Sequence, residues 1–284
     1  MTTTATFPFE QLLDRFKASP HVVCLTGAGL SLASGIPTYR DQDGNWQGQS
    51  PILHQAFLDD PTVRQRYWAR SARGWPIFAR ARPNSAHLGL KRLHDAGLIR
   101  QVVTQNVDSL HEQAGTRQVF HLHGNLDWVD CLSCAQQHKR SDVQQQLEAL
   151  IAPTTDSQVL LPDGDADIAD QAIRDFQCPS CSACGGDLKP RVVFFGGSVE
   201  VDLVAQIYRF IDQADALLVV GSSLKLFSGY RFCRYALAKD KPIWLINPGW
   251  TRVDDQASLK ITTPAEVAIP ALCRQLGYPL EDSV

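Results

Sequence analysis

The chain has 284 residues, 44% hydrophobic, 20% charged and 8% aromatic, with 27 Lys and Arg against 30 Asp and Glu for a net charge of −3. This length fits one large α/β domain, or one carrying a small insert, and the apolar share excludes a disordered or fibrous chain. The charge balance excludes a global basic field for gripping nucleic acid, and no apolar run approaches the roughly 18 residues of a membrane span.

Residues 1–10, MTTTATFPFE, carry neither the basic and apolar regions of a signal peptide nor the Arg-rich character of a transit peptide. The expectation is a cytoplasmic protein that does not attach to a membrane. Eight cysteines are too few for a disulfide framework at this length, and four of them form CxxC pairs, which in the cytosol favours metal over disulfide.

Short β-branched or aliphatic runs at residues 21–26, 99–104, 119–122, 191–195, 216–220 and 243–246 alternate with helical stretches, each ending in Gly, Asn or another polar turn residue. That rhythm predicts an α/β fold, a mostly parallel sheet with helices on both faces. Open sheets of this kind hold ligands at the carboxyl ends of their strands, where most of the chemistry-bearing residues of this sequence fall.

The first run passes into residues 27–41, GAGLSLASGIPTYRD. Glycines directly after a strand let the backbone approach a pyrophosphate; the N–H groups opening the next helix supply an anion site, and Ser31 adds a donor. The G-x-G-x-x-G register of dehydrogenases is missing, as is an acidic residue about 20 positions on after a second strand. Alone, the turn supports a phosphate-bearing nucleotide, with a purely structural turn as the alternative.

The run at 99–104 leads into Thr104-Gln105-Asn106-Val107-Asp108-Ser109-Leu110-His111, and the next leads into His121-Leu122-His123-Gly124. In a parallel sheet both open on the same edge as Gly27. Asn106 and Asp108 have the chemistry to grip a carboxamide, and a histidine near neutral pKa can take a proton from a ribose hydroxyl. A lone histidine at a strand end is ordinarily structural, and His111 and His121 are read that way; the glycine behind His123 and the polar cluster ahead of it single that residue out.

Residues 125–189 change texture: CLSC, a Gln-rich helix over 141–151, a Pro/Asp/Gly-rich segment over 153–170, then CPSCSACGG. The acidic run Asp163, Asp165, Asp167 and Asp170 reads as a solvated loop rather than a calcium site, because Gly164 is misplaced and no Glu closes a twelve-residue loop. Cys131 and Cys134 with Cys181 and Cys184 make two knuckles that complete a closed four-thiolate site, hence one structural Zn2+. Cys178 makes the second pairing ambiguous, since Cys178 and Cys181 also read CxxC; Gly185 and Gly186 favour Cys181 with Cys184. Cys24, Cys233 and Cys273 lie in apolar sequence and read as core.

Taken together, GAGLSLASGIPTYR, TQNVDSLHEQAG, HLHG, CLSC…CSAC, LKPRVVFFG, GSSL and INPG resemble the sirtuin family, the NAD-dependent protein deacylases, in the family's order over residues 22–270. The long interval between the knuckles, with RQRYWAR and GGDLKPRVVFFG, looks most like the class that includes the mitochondrial sirtuin four. The resemblance implies a Rossmann-like NAD-binding domain over 1–124 and 190–284, with an inserted zinc-binding module over 125–189. It implies that Gly27, Ala28, Gly29, Ser31, Pro37, Tyr39 and Arg40 line the pyrophosphate and nicotinamide-ribose end of NAD, and that Thr104, Gln105, Asn106 and Asp108 hold nicotinamide and ribose. Gly221, Ser222, Ser223, Asn247, Pro248, Gly249 and Ala265 would hold the adenosine half. His123 would be the general base, with Asn106 and Asp108 as its catalytic companions.

In the family's chemistry the acyl-lysine oxygen displaces nicotinamide from the ribose. The products are O-acyl-ADP-ribose and free lysine, and NAD is consumed without hydride transfer. The implied partners are acyl-lysine proteins or peptides, with no membrane and no direct nucleic-acid binding. This chain departs from the family in having Thr38-Tyr39 where many members have Asp-Phe, and Gly197 where many have an acidic residue.

From residue 61 to 94 there are seven Arg, one Lys and no acid, the pattern of a solvated helical face. Tyr67 and Arg70, three apart and on one face, resemble the pair with which one sirtuin class reads acidic acyl groups; an Arg can grip a succinyl- or glutaryl-type carboxylate bidentately. An apolar channel for long or cyclic acyl chains is the open alternative. Two other readings also stand at this point: ADP-ribosyl transfer to protein from the same site, and a non-catalytic zinc-ribbon protein that binds nucleotide or nucleic acid.

Overall fold

In the computed structural model, which describes residues 8–18, 21–39, 51–148, 165, 173 and 176–280, alternate side chains of β1 (Val22–Thr26) enter two different helical layers. Val22 and Cys24 pack with Leu12, Phe16, Leu90, Leu93, Ile269 and Leu272, from α1 (Pro8–Ala18), α4 (Ser85–Asp95) and α9 (Ala265–Gln275). Val23 and Leu25 pack with Val204, Ile207, Ile211 and Phe232, from α7 (Val201–Gln213) and α8 (Phe227–Ala238). A strand buried on both faces has no polar side to show, which is why the run reads as unbroken apolar sequence.

Six parallel strands lie in the order β3 (Val119–His121), β2 (Ile99–Thr104), β1, β7 (Ala216–Val220), β8 (Ile243–Ile246) and β9 (Leu259–Ile261). The chain runs outward from β1 on one side and resumes beside β1 with β7 on the other. This reversal opens a crevice at the carboxyl ends of β1 and β7, the place where doubly wound sheets take their ligands.

A second sheet of three antiparallel strands sits apart: β5 (Gln137–Lys139), β4 (Gly124–Cys131) and β6 (Leu188–Val192). The helix α6 (Arg140–Glu148) follows β5, while α2 (His54–Asp59) and α3 (Pro61–Phe78) precede α4. Asp60 caps α3 by accepting the Thr62 N–H at 2.8 Å, with Pro61 in the first turn where its missing donor costs nothing. The Arg140 side chain is wholly buried between α3 and α6, its guanidinium 4.8 Å from the Trp75 ring and 2.8 Å from Gln144 Oε1. Desolvation pulls its pKa down to about 10.

Three expectations are corrected. Residues 191–195 do not form a strand of the parallel sheet: the strand is Leu188–Val192, paired antiparallel to β4 with Val192 opposite Gly124. The apolar run beyond it instead lines the cleft described below. The basic stretch is not a solvated face throughout, because α3 packs against the small sheet and buries residues 67–72, Tyr67 and Arg70 included. Asp165 is not in solvent either; it is 1% exposed and lies 4.0 Å from Arg70 Nε, whereas Asp163, Asp167 and Asp170 fall outside the described residues. Among the described residues no helix is long and apolar enough to cross a membrane.

Candidate active site

The crevice opens into a cleft of about 1020 Å³ bounded by the loops after β1, β2, β3, β7 and β8, by the start of α9, and by residues 192–199. Its floor is made by glycines in close approach. Gly29 N–H donates to Gly221 O at 2.8 Å, and a Cβ on Gly29 would sit 2.9 Å from that oxygen. Gly221 has φ +63°, and a Cβ there would lie 2.4 Å from Leu30 N. Side chains at these two positions would drive the two loops apart, and with them the floor on which an extended phosphate ligand could lie.

Ser31, past the first turn, is the hub of a buried polar chain. Its Oγ–H donates to Asp108 Oδ2 at 2.8 Å and its oxygen accepts from Asn106 Nδ2 at 3.0 Å. Leu110 N–H donates to the other Asp108 oxygen at 3.1 Å. Burial pushes the Asp108 pKa above the usual carboxylate value, while the Ser31 and Leu110 hydrogen bonds pull it back. Gln105 spans the crevice, donating from Nε2 to Ser222 Oγ at 2.8 Å and to Thr26 O at 3.2 Å.

His123 is half-buried at the cleft wall, beyond β3. Its Nδ1 lies 2.7 Å from Gln105 O, and since a carbonyl only accepts, Nδ1 carries the proton. Nε2 is then the lone-pair nitrogen, and the Ser228 hydroxyl donates to it at 2.8 Å. Burial holds the His123 pKa below the ordinary imidazole value, against the raising effect of the Gln105 carbonyl. The ring is therefore neutral near pH 7, with its accepting nitrogen in the cleft.

Of the residues singled out in the sequence, Gly27, Ala28, Gly29, Ser31, Pro37 and Tyr39 line this cleft from the β1 side. Gln105, Asn106, Asp108 and His123 line it from β2 and β3. Gly221, Ser222 and Ser223 follow β7, Asn247, Pro248 and Gly249 follow β8, and Ala265 opens α9. Thr104 does not reach the cleft: it is fully buried behind it and accepts the Asn106 N–H at 3.1 Å. Arg40 lies outside the described residues. Tyr67 lines the cleft, but Arg70 does not; it meets Asp165 in the interior.

Sequence reasoning missed Ser228, a plain serine in the first turn of α8 whose contact with His123 spans 105 positions. It also missed the apolar wall of Ile36, Phe78, Leu126, Val192 and Val193, most of which reads as ordinary core.

The knuckle sulfurs of Cys131, Cys134, Cys181 and Cys184 all lie within 4.8 Å of one another, with Cys131 to Cys184 at 3.5 Å and Cys134 to Cys181 at 3.8 Å. A tetrahedral zinc with Zn–S near 2.3 Å separates its sulfurs by about 3.8 Å, so this donor set fits the ion. The two turns match: Cys131 N–H donates to Gln136 O and Cys181 N–H to Gly186 O, both at 2.9 Å. A Cβ on Gly186 would lie 2.5 Å from Ser133 Oγ. Cys178 is exposed and outside the cluster, which resolves the pairing in favour of Cys181 with Cys184.

Residues 27–228 match the Sir2 family. The chain is 46% identical over 268 residues to NAD-dependent protein deacetylase 2 of Bradyrhizobium diazoefficiens, covering 93% of this chain and 97% of the relative. It is 43% identical over 266 residues to the bovine mitochondrial NAD-dependent protein lipoamidase sirtuin-4, covering 92% and 84%. A solved structure described as Sir2 with p53 peptide and NAD+ superposes with a TM-score of 0.77 at 28% identity, covering 95% of this chain and 98% of that one. By a family match over residues 27–228 of 284 and these full-length relatives, the chain belongs to the Sir2 family.

Proposed function

We propose that the protein is an NAD-dependent protein-lysine deacylase that consumes NAD, an acyl-lysine chain and one water and yields nicotinamide, O-acyl-ADP-ribose and free lysine. The single observation that carries this reading is the orientation of His123. Its Nδ1–H is fixed on the Gln105 carbonyl, so that a neutral Nε2 faces a cleft floored by the Gly27–Gly29 turn.

NAD lying along the Gly29–Gly221 floor would supply a ribose whose bond to nicotinamide is broken by the acyl oxygen. Asn106 and Asp108, tied through Ser31, offer a donor and an acceptor for the carboxamide and sugar. Ser222, Ser223 and Asn247 are assigned to the adenosine half, and Thr104 to a supporting place behind the site. His123 Nε2 takes the proton of a ribose hydroxyl once the Ser228 hydroxyl gives way. The low polarity of Ile36, Phe78, Leu126, Val192 and Val193 keeps bulk water from the reacting sugar. Zinc holds the small sheet, and its four protein ligands leave no open position for catalysis.

The acyl group is assigned as uncharged, because the cation expected to read a carboxylate, Arg70, is engaged with Asp165 inside the protein. A cytoplasmic location is in keeping with the free cysteines and thiolate metal site. The test is nicotinamide release from NAD with a panel of acyl-lysine peptides, with His123→Ala as the blank. Release coupled one-to-one to deacylation is expected. Release without deacylation would overturn the reading in favour of ADP-ribosyl transfer.

A further inference from the structure

The helix α8 and the loops beside it carry cations with no acidic partner, of which Lys225 and Arg231 line the cleft. Lys225, Arg231, Arg234 and Arg252 have no carboxylate within 4.0 Å among the described residues. Three of them are held against rings: Arg252 lies 4.1 Å from the centre of Tyr230, Arg231 5.1 Å from Phe227, and Lys225 5.4 Å from Trp250. Arg231 Nε is buried without a hydrogen-bond partner. Asp212 on α7, which packs beside α8, is already taken by Tyr235 Oη at 2.9 Å and Lys239 at 3.6 Å. In a chain of net charge −3 this is a local excess against the overall sign.

Arg231 and Arg234 share a face of α8 and, with Tyr208, Phe227 and Tyr235, line a hollow of about 310 Å³. Phe227 and Arg231 also line the main cleft, so the two cavities adjoin at these side chains. Phe227 is 51% exposed. A planar guanidinium backed by an aromatic ring and lacking a partner is pre-set to take a carboxylate in its plane.

We propose that this hollow is a substrate-selecting subsite that takes an Asp or Glu side chain of the polypeptide whose acyl-lysine enters the cleft. The inference rests on the deacylase reading and deepens it. Ser228, which touches the base, fixes the reacting end; Arg231 and Arg234 lie three and six residues further along the same helix, about 5 and 9 Å at 1.5 Å per residue. An extended chain covers that in about two to three residues at about 3.3 Å each. An acidic residue two or three positions from the acyl-lysine therefore reaches the guanidinium groups while the lysine reaches His123.

The test compares kcat/KM on matched acyl-lysine peptides with Glu or Gln two or three positions to either side. The expected result is about a tenfold preference for Glu at one of these positions at low salt, carried mainly by KM, which shrinks in 0.5 M NaCl. It falls toward one in Arg231→Gln combined with Arg234→Gln. The readout is a ratio of two peptides on one preparation, so a general loss of activity or folding cancels. Equal kcat/KM for Glu and Gln peptides would overturn the subsite while leaving deacylation intact, as would a preference that survives the double substitution. If no peptide is turned over, the deacylase reading fails, and fluorescence anisotropy with the same peptides still decides the subsite by the same ratio. Binding of a single-stranded oligonucleotide with no discrimination among the peptides would likewise overturn it.

Discussion

Replacing Ser31 with Ala removes one oxygen and two buried hydrogen bonds. The first is charge-assisted, to Asp108 at 2.8 Å, and the second is neutral, from Asn106 at 3.0 Å. Ser31, Asn106 and Asp108 are 1%, 7% and 5% exposed, so water does not readily replace what is lost. A hydrogen bond to a charged group is worth about 1.5–3 kcal/mol and a neutral one about 1, giving a loss of about 2.5–4 kcal/mol. If these groups hold the ribose and carboxamide, kcat/KM for NAD falls about 10²- to 10³-fold at 1.36 kcal/mol per decade. The loss also depends on pH. Burial already raises the Asp108 pKa and Ser31 opposes the rise, so without Ser31 the pKa climbs further and the acid limb of kcat/KM moves to higher pH. An acid whose folded pKa lies above its unfolded one destabilises the fold as pH rises through that window, so the stability gap between variant and wild type widens from pH 4 to pH 7. Steady-state kinetics from pH 5 to 9 and urea unfolding at the two pH values check both effects. A pH-independent loss would refute the reasoning, as would additive losses in a double-mutant cycle with Asp108→Asn.

Cys181→Ser abolishes stoichiometric zinc in metal analysis and lowers Tm, whereas Cys178→Ser keeps one zinc per chain, because Cys178 lies outside the sulfur cluster. His87 is wholly buried and desolvation lowers its pKa from 6.5 to about 4. The folded state thus resists protonation, and stability present above pH 6.5 drains by about 3 kcal/mol as pH falls toward 4; urea titrations show a shallower loss in His87→Gln. Arg70→Ala removes one guanidinium from beside buried Asp165 and lowers the unfolding free energy by about 0.5–3 kcal/mol, yet leaves the ratio of acetyl- to glutaryl-peptide turnover unchanged. Ser228→Ala frees His123 Nε2 from a donor that favours the neutral ring, so the acid limb belonging to His123 moves up by a few tenths of a pH unit, read in kcat/KM profiles.

What could be read from the sequence was what local constraint or donor chemistry dictates. The Gly27–Gly29 turn was visible because the backbone must touch Gly221, and the knuckles because thiols two residues apart have few other uses. The parallel strands showed as apolar runs because both faces are covered; β9 did not, being three residues with Lys260 at its centre, anchored to Asp254 at 2.7 Å. Residues 191–195 misled because an apolar run looks the same whether it pairs in a sheet or walls a cleft. The burial of Arg70 was hidden for a related reason: its partner Asp165 is 95 positions away, in a stretch whose composition reads as solvent.

Gln105 shows why the site could be read only in part. Its backbone oxygen fixes the His123 tautomer, while its side chain bonds Ser222 after β7 and Thr26 O at the end of β1. One residue thus ties the orientation of the base to the separation of the two halves of the sheet. A glutamine after a strand announces only a polar end. Its second duty appears once Gly229 is seen on the far side, where a Cβ would stand 2.5 Å from Gln105 Oε1. Gly229 sits in the first turn of α8, next to Ser228, so the space left beside Gln105 and the hydroxyl on His123 Nε2 come from adjacent residues of one helix. That helix continues into Arg231 and Arg234. Any shift of α8 that accommodates a polypeptide at the guanidinium groups therefore acts on the base and on the amide that holds it, through contacts that no local pattern in the sequence announces.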